Sequence, residues 1–217
     1  MKMNKWLTGF VSALVLAFST QAAAPAPPDE VVKQVVNHVQ DLLQKNHDQY
    51  KADNKLFYKV VDDNVVPIFD VPYIAQLVLA RNWRGASADQ RMRFQTAFKD
   101  MLIRSYANAL LEYYSSVQVD WQPLRMAPGA TDASVNSRLL RDGKQPVAIG
   151  FSMHLVSGSW KIYDISIENI SLISNFRAQF NSEIKKTGLD DVIRRMESGE
   201  YSTKAKTGSS AGAAKSN

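Results

Sequence analysis

The chain has no cysteine among its 217 residues. That excludes disulfides, cysteine-ligated metal sites and thiol nucleophiles in one step. It has no Gly-rich phosphate loop and no nucleophile elbow. Histidine is almost as scarce. His38, His47 and His154 stand at spacings that match no zinc motif, so each is expected to be solvated or hydrogen-bonded, and no metal site is expected. The adjacent acids Asp62-Asp63 and Asp190-Asp191 are expected on helices, where neighbours diverge by about 100°. Neither pair makes a ready acid/base dyad, and no catalytic constellation emerges.

A usable charge imbalance is missing too. The formal charge is +5 from 26 basic and 21 acidic residues. Lys2 and Lys5 fall in the first segment, and Lys204, Lys206 and Lys215 in the last. The 21 basic residues between them balance the 21 acidic ones. A neutral body argues against nucleic acid, which needs a clustered basic surface.

No long apolar run occurs either. The longest spans Leu7 to Phe18, interrupted by Thr8, Gly9 and Ser12 and shorter than the ~20 residues of a spanning helix. With Lys2 and Lys5 before it and Thr20-Gln21-Ala22-Ala23-Ala24 after it, it reads as a cleaved secretory signal over residues 1–23. An exported protein without disulfides must rely on its core, and residues 29–199 suffice for one domain. The Ser-, Gly-, Ala- and Lys-rich stretch over 200–217 cannot bury enough apolar surface and is expected to be a disordered tail.

Between these ends the chain is well patterned. After Pro25-Ala26-Pro27-Pro28, Asp29 is expected to cap a helix from Glu30 to about Asn46, with Val32, Val35, Val36, Val39, Leu42 and Leu43 as its apolar stripe. A second helix is expected over about 54–66, and a short one over 73–79 after Pro67 and Pro72. Ser87-Ala88-Asp89-Gln90 matches a capping box and opens the longest helix, about 88–114. From Val117 the period becomes two, with strands expected at about 117–124, 133–141, 146–157 and 159–168. Asp142-Gly143 and Gly158-Ser159 mark turns. Helices over 171–186 and 188–198 close the chain. Helices, then an antiparallel meander, then helices define an α+β fold on a curved four-stranded sheet.

What remains unexplained by a minimal core is the amount of large apolar surface. The long helix offers Phe94, Phe98, Met101, Leu102, Tyr106 and Leu110. The strands offer Val147, Ile149, Phe151, Met153, Tyr163 and Ile165. Such stripes are usually filled core, but Met101 and Met153 adapt to variable shapes, and Ala109, Ala148 and Gly150 are small enough to leave room. Gly150 lies mid-strand, where glycine is otherwise unfavourable, so a close approach is expected there. No cluster of Arg or Lys marks a phosphate pocket.

One block is more specific. Trp160 to Phe180 runs from a strand directly into a helix, with the period changing near Asn169 and Ser171. Ser171 is expected to cap the helix. A second block comprises Phe69-Asp70, Leu77 to Arg84 (which includes Trp83-Arg84), Gln90-Arg91, Phe94 and Phe98. In order and spacing these blocks resemble the MlaC family, also called the toluene-tolerance auxiliary family, across roughly 29–197. Ala80 stands where the family commonly has Gly, and Asn169 where Gly often precedes the Ser-Leu pair.

The resemblance implies an NTF2-like cone enclosing an apolar cavity, lined by the two residue sets above. It implies a soluble, non-enzymatic periplasmic phospholipid carrier of Gram-negative bacteria, with lipid as cargo and no cofactor. The implied partners are an outer-membrane lipoprotein with its porin and an inner-membrane ABC transporter complex. The implied role is in outer-membrane lipid asymmetry and solvent tolerance. The alternative is an isomerase or dehydratase on an NTF2-like scaffold, with Tyr163 or Asp164 as its local acid or base. For Asp164, an ion pair with a nearby Arg or Lys is the plainer expectation.

Overall fold

The computed structural model describes residues 25–201, so the expected signal segment and nearly all of the expected tail lie outside the described residues. Helix α1 (Pro28–Ala52) has Pro27 at its N-cap rather than the expected Asp29. Pro28 suits the first turn because its missing N–H would be unpaired there anyway. Asp29 and Glu30 then sit in that turn and bind Lys33 at 2.8 and 3.1 Å. The helix does not stop at Asn46. It kinks there (φ −128°, ψ 18°), where the side-chain amide donates to the Leu42 carbonyl at 3.0 Å. Helix α2 (Asn54–Asn64) is capped by Asp53, which accepts from the amides of Lys55 and Leu56.

A 3₁₀ turn (Val66–Ile68) leads to α3 (Val71–Leu79). Pro72 does not exclude its neighbours from this helix as the sequence reading had it; it lies in the first turn, behind the Asp70 cap. Ala80 then turns the chain at φ 49°, ψ −116° into a five-residue helix that periodicity did not reveal, α4 (Arg81–Gly85). Helix α5 (Ala88–Tyr113) opens on the expected capping box. Ser87 Oγ accepts from the Gln90 amide at 3.1 Å and Gln90 Oε1 from the Ser87 amide at 2.9 Å.

The sheet is an antiparallel meander in chain order: β1 (Gln118–Trp121), β2 (Asp132–Leu140), β3 (Val147–Val156), β4 (Ser159–Ile167) and β5 (Ile170–Ser171). It has one short strand more than expected. Glu168 and Asn169 both adopt positive φ (50° and 63°) and fold β5 back onto β4, pairing Ile167 with Ile170. Two successive positive-φ residues match the twist of a tight hairpin. Ser157 and Gly158 do the same between β3 and β4. Helices α6 (Leu172–Thr187) and α7 (Leu189–Glu197) follow, and Ser171 caps α6 by accepting from the Ser174 amide.

Three apolar clusters hold these elements. The helical cluster joins α3, α5, α6 and α7 around Val78, Phe94, Phe98, Phe180 and Ile193. Burying each large side chain there contributes about 1.5–3 kcal/mol. A second joins α1, α2 and the far half of α5 around Leu43, Phe57 and Ala107. The third packs the start of α1 on the sheet through Val32, Val135, Met153, Trp160 and Ile162. The packed body reaches Tyr201, whose ring meets Phe180 and whose hydroxyl donates to Glu183.

Candidate functional site

On α5, Phe98, Leu102, Tyr106, Leu110 and Tyr113 recur at three- and four-residue steps and so share a face. Burial falls steadily along that face. Phe98 is 1% exposed, Leu102 is half-buried, and Tyr106, Leu110 and Tyr113 are 42%, 46% and 53% exposed. Phe94, Phe98 and Met101 lie inside the helical cluster, where the Phe94 ring stacks on Phe98 at 5.7 Å and meets Phe180 edge-on.

Tyr106 combines two properties that rarely coexist. It is exposed, yet desolvation by surrounding protein pushes its phenol pKa above the ordinary value. Among the described residues no group hydrogen-bonds its hydroxyl.

The second apolar surface is one face of the sheet. Register places Val147, Ile149, Phe151 and Met153 of β3 beside Leu139, Ser137, Val135 and Ala133 of β2. Met153 is fully buried under α1, whereas Val147, Ile149, Phe151 and Ile165 are half-buried. Ser137 lies within this face, between Trp121 and Ile149. It is 3% exposed and its Oγ has no hydrogen-bond partner among the described residues.

Strict alternation along β4 puts Tyr163 with Ile165 and Ile167. The structure corrects this. A bulge opposite Ser152/Met153 pairs Ile165 with Phe151 but Ile162 with Met153, so Ile162 joins the apolar face and Tyr163 leaves it. An inserted residue shifts the phase of a two-residue repeat. Tyr163 instead bonds Ser152 and stands against His154 and Tyr73 at ring distances of 5.1 and 5.7 Å. Its phenol pKa is raised by burial and by the nearby negative charge of Asp132.

This other face holds a seam between α3 and the sheet. Asp70 accepts from the Tyr73 amide with one oxygen and lies 2.9 Å from His154 Nε2 with the other, while its own amide donates to Ile162. Sequence reasoning places Asp70 in the second block but assigns it no role. The signal was there: Asp70-Val71-Pro72 is a cap followed by a first-turn proline. Asp164 is not ion-paired as expected. It accepts from the Ser171 hydroxyl and the Ile173 amide, anchoring the start of α6. Those bonds make it a structural acceptor, not an available acid or base. Gly150 does meet a close approach: a Cβ there would stand 2.6 Å from Ser166 Oγ and 3.2 Å from Asn136 Oδ1.

His38 bonds Asn64, and the His47 ring lies tilted against Tyr114 at 5.2 Å. Asp62 and Asp63 turn to Lys99 and Lys59, respectively. Among the described residues no group of acids and histidines could hold a metal ion, and no helix is long and apolar enough to cross a membrane. A hollow of about 390 Å³ at the α1 kink is lined by Gln44 to Gln49 and Tyr114. Another of about 330 Å³ lies between α5 and α7, beside Met92, Arg93 and Glu197. Neither touches the expected lipid-lining residues.

The family model described as MlaC protein matches residues 33–198. The chain belongs to the MlaC family. It is 28% identical over 179 residues to a toluene tolerance protein of Pseudomonas putida, covering 82% of each chain. It is 24% identical over 200 residues to the intermembrane phospholipid transport system binding protein MlaC of Haemophilus influenzae, covering 90% of this chain and 93% of that one. A solved phospholipid-binding protein from Ralstonia solanacearum, in complex with a phospholipid, matches with a TM-score of 0.74 and 28% identity. It covers 83% of this chain and 99% of its own. Ala80 and Asn169, which the resemblance sets at glycine positions, both adopt positive φ, the conformation that glycine takes without strain.

Proposed function

We propose that this protein is a soluble periplasmic phospholipid carrier. It takes lipid acyl chains into a recess between the outer half of α5 and the open part of the sheet face. The observation that carries the reading is the gradient along α5: an apolar stripe that starts in dry core and continues, unpacked, past Tyr106 to Tyr113. On this reading the half-buried Val147, Ile149, Phe151 and Ile165 form the opposing wall. The buried Phe94, Phe98, Met101 and Met153 act as its floor and backing, and Tyr163 stands behind it. The phospholipid held by the Ralstonia relative supports the same reading.

Burying a methylene is worth ~0.8 kcal/mol, so a diacyl lipid of roughly 30 methylenes gains on the order of 20 kcal/mol gross. Hiding both tails removes the barrier to crossing an aqueous compartment and needs no covalent chemistry. Handover then runs between an outer-membrane lipoprotein–porin complex and an inner-membrane ABC transporter complex, which maintains outer-membrane lipid asymmetry. Residues 1–23 supply export and are cleaved.

Organic extraction of protein purified from the periplasm, never delipidated, should yield glycerophospholipid. Ile149→Trp should lower lipid occupancy more than Gly150→Trp, because Gly150 faces Ser166 and Asn136. Wild-type protein that carries no lipid would overturn the reading. The reverse ranking would show that the wrong sheet face is assigned.

A further inference from the structure

Tyr106 stands at a particular depth. One turn inward, Leu102 packs against the helical cluster; one turn outward, Leu110 is 46% exposed. A helical turn advances about 5.4 Å, so Tyr106 marks the level at which apolar wall gives way to water. A diacyl lipid with buried tails and a solvated headgroup has its ester linkages at that level. Tyrosine suits such a boundary, with an apolar ring and a polar tip.

The hydroxyl is available. Among the described residues it has no hydrogen-bond partner, and burial alone perturbs it. The acceptor it would meet is better neutral than anionic. Arg104, the nearest cation along the helix, donates to the Met196 carbonyl at 2.8 Å on the α7 side. A phosphate at this depth would need a cation; an ester carbonyl needs one donor.

Building on the carrier reading, we propose that the Tyr106 hydroxyl donates a hydrogen bond to a glycerol-ester carbonyl of the bound lipid. Tyr106 is then the residue that distinguishes ester-linked from ether-linked chains. Leu102, one turn inward, contacts either kind alike, since it reads only hydrocarbon.

The test compares wild type with Tyr106→Phe on three probes: a diester phospholipid, the diether phospholipid of the same headgroup and chain length, and a diacylglycerol. Each is measured by competition for delipidated full-length mature protein. Wild type should prefer diester to diether by about fivefold, as one neutral hydrogen bond allows. In Tyr106→Phe that ratio should fall to about one, and diacylglycerol affinity should drop by a similar factor. The ratio is internal to one preparation, so a loss of folded protein does not alter it. A wild-type ratio of one, or a preference that survives in Tyr106→Phe, would overturn the proposal. Equal weakening of diester and diether with diacylglycerol unaffected would overturn it in favour of a phosphate contact. Wild type that binds none of the three probes would remove the carrier reading as well.

Discussion

Along the Phe98 face of α5 similar residues recur at the same spacing, yet the inner half of that face is core and the outer half is not. Phe94, Phe98 and Met101 meet Phe176, Phe180 and Met196 from α6 and α7. Tyr106, Leu110 and Tyr113 continue the Phe98 face with no such cover. An apolar stripe therefore reports only that a face avoids water; which partner it meets depends on chain that arrives from far away. In the inner half the partner is the C-terminal helix pair. In the outer half it is, on our reading, a lipid.

The largest effect that could break this contrast is in the inner half. Phe98→Ala should cost about 3–5 kcal/mol, measured by urea unfolding. A loss below about 1 kcal/mol would mean that the bundle is looser than its stacked rings suggest.

The bundle's closure against Tyr201 should show in acid. Burial works to raise the Glu183 pKa, but hydrogen bonds from Tyr201 and Gln179 and the charge of Arg195 prevail and hold it below its ordinary value. A lowered folded pKa gives stability that is present above the unfolded value near 4.5 and lost as pH falls through the folded one. Wild type should lose stability on that descent, and Glu183→Gln should lose less across the same range while starting lower at neutral pH. Parallel acid profiles would remove Glu183 from the account.

A smaller effect is expected at the turn between α3 and α4. Ala80 holds φ 49°, ψ −116°, a sparsely populated conformation that costs a Cβ-bearing residue roughly 1–3 kcal/mol. Ala80→Gly should stabilise by about 1 kcal/mol, since the gain is partly offset by the greater freedom of glycine in the unfolded chain. An unchanged melting temperature would show that the turn is not strained.

The smallest change in stability should come from the outer half. Leu110→Ser should alter folding free energy by no more than about 0.5 kcal/mol, yet lower lipid occupancy in extracted protein. A large destabilisation would mean that Leu110 belongs to the core after all.

Much of the fold is legible in the sequence alone. Capping chemistry located the start of α5 to the residue, because Ser87 and Gln90 satisfy each other's backbone locally. The meander followed from a period-two pattern, and the strand-to-helix junction at Ser171 from a change of period. The misses share a physical cause. Asp164 and Asp70 are satisfied by partners across an element boundary, which periodicity does not report. The α1 kink and α4 arise where backbone geometry departs from the pattern carried by the side chains. The β4 bulge is invisible in sequence because Ile162 and Ile165 are equally apolar on either side of it. The set expected to line lipid mixes fully buried with half-buried and exposed side chains for the same reason: burial is a property of neighbours, not of residue type.

That bulge makes Tyr163 a phase shift in a wave of period two. Trp160 and Ile162 lie on one crest, Ile165 and Ile167 on the next, and the single extra residue brings both crests to the same side. A ladder without it would present one pair inward and turn the other out. The chain thus keeps a continuous apolar wall through a bent sheet, and the displaced ring lands where the seam with α3 takes it up.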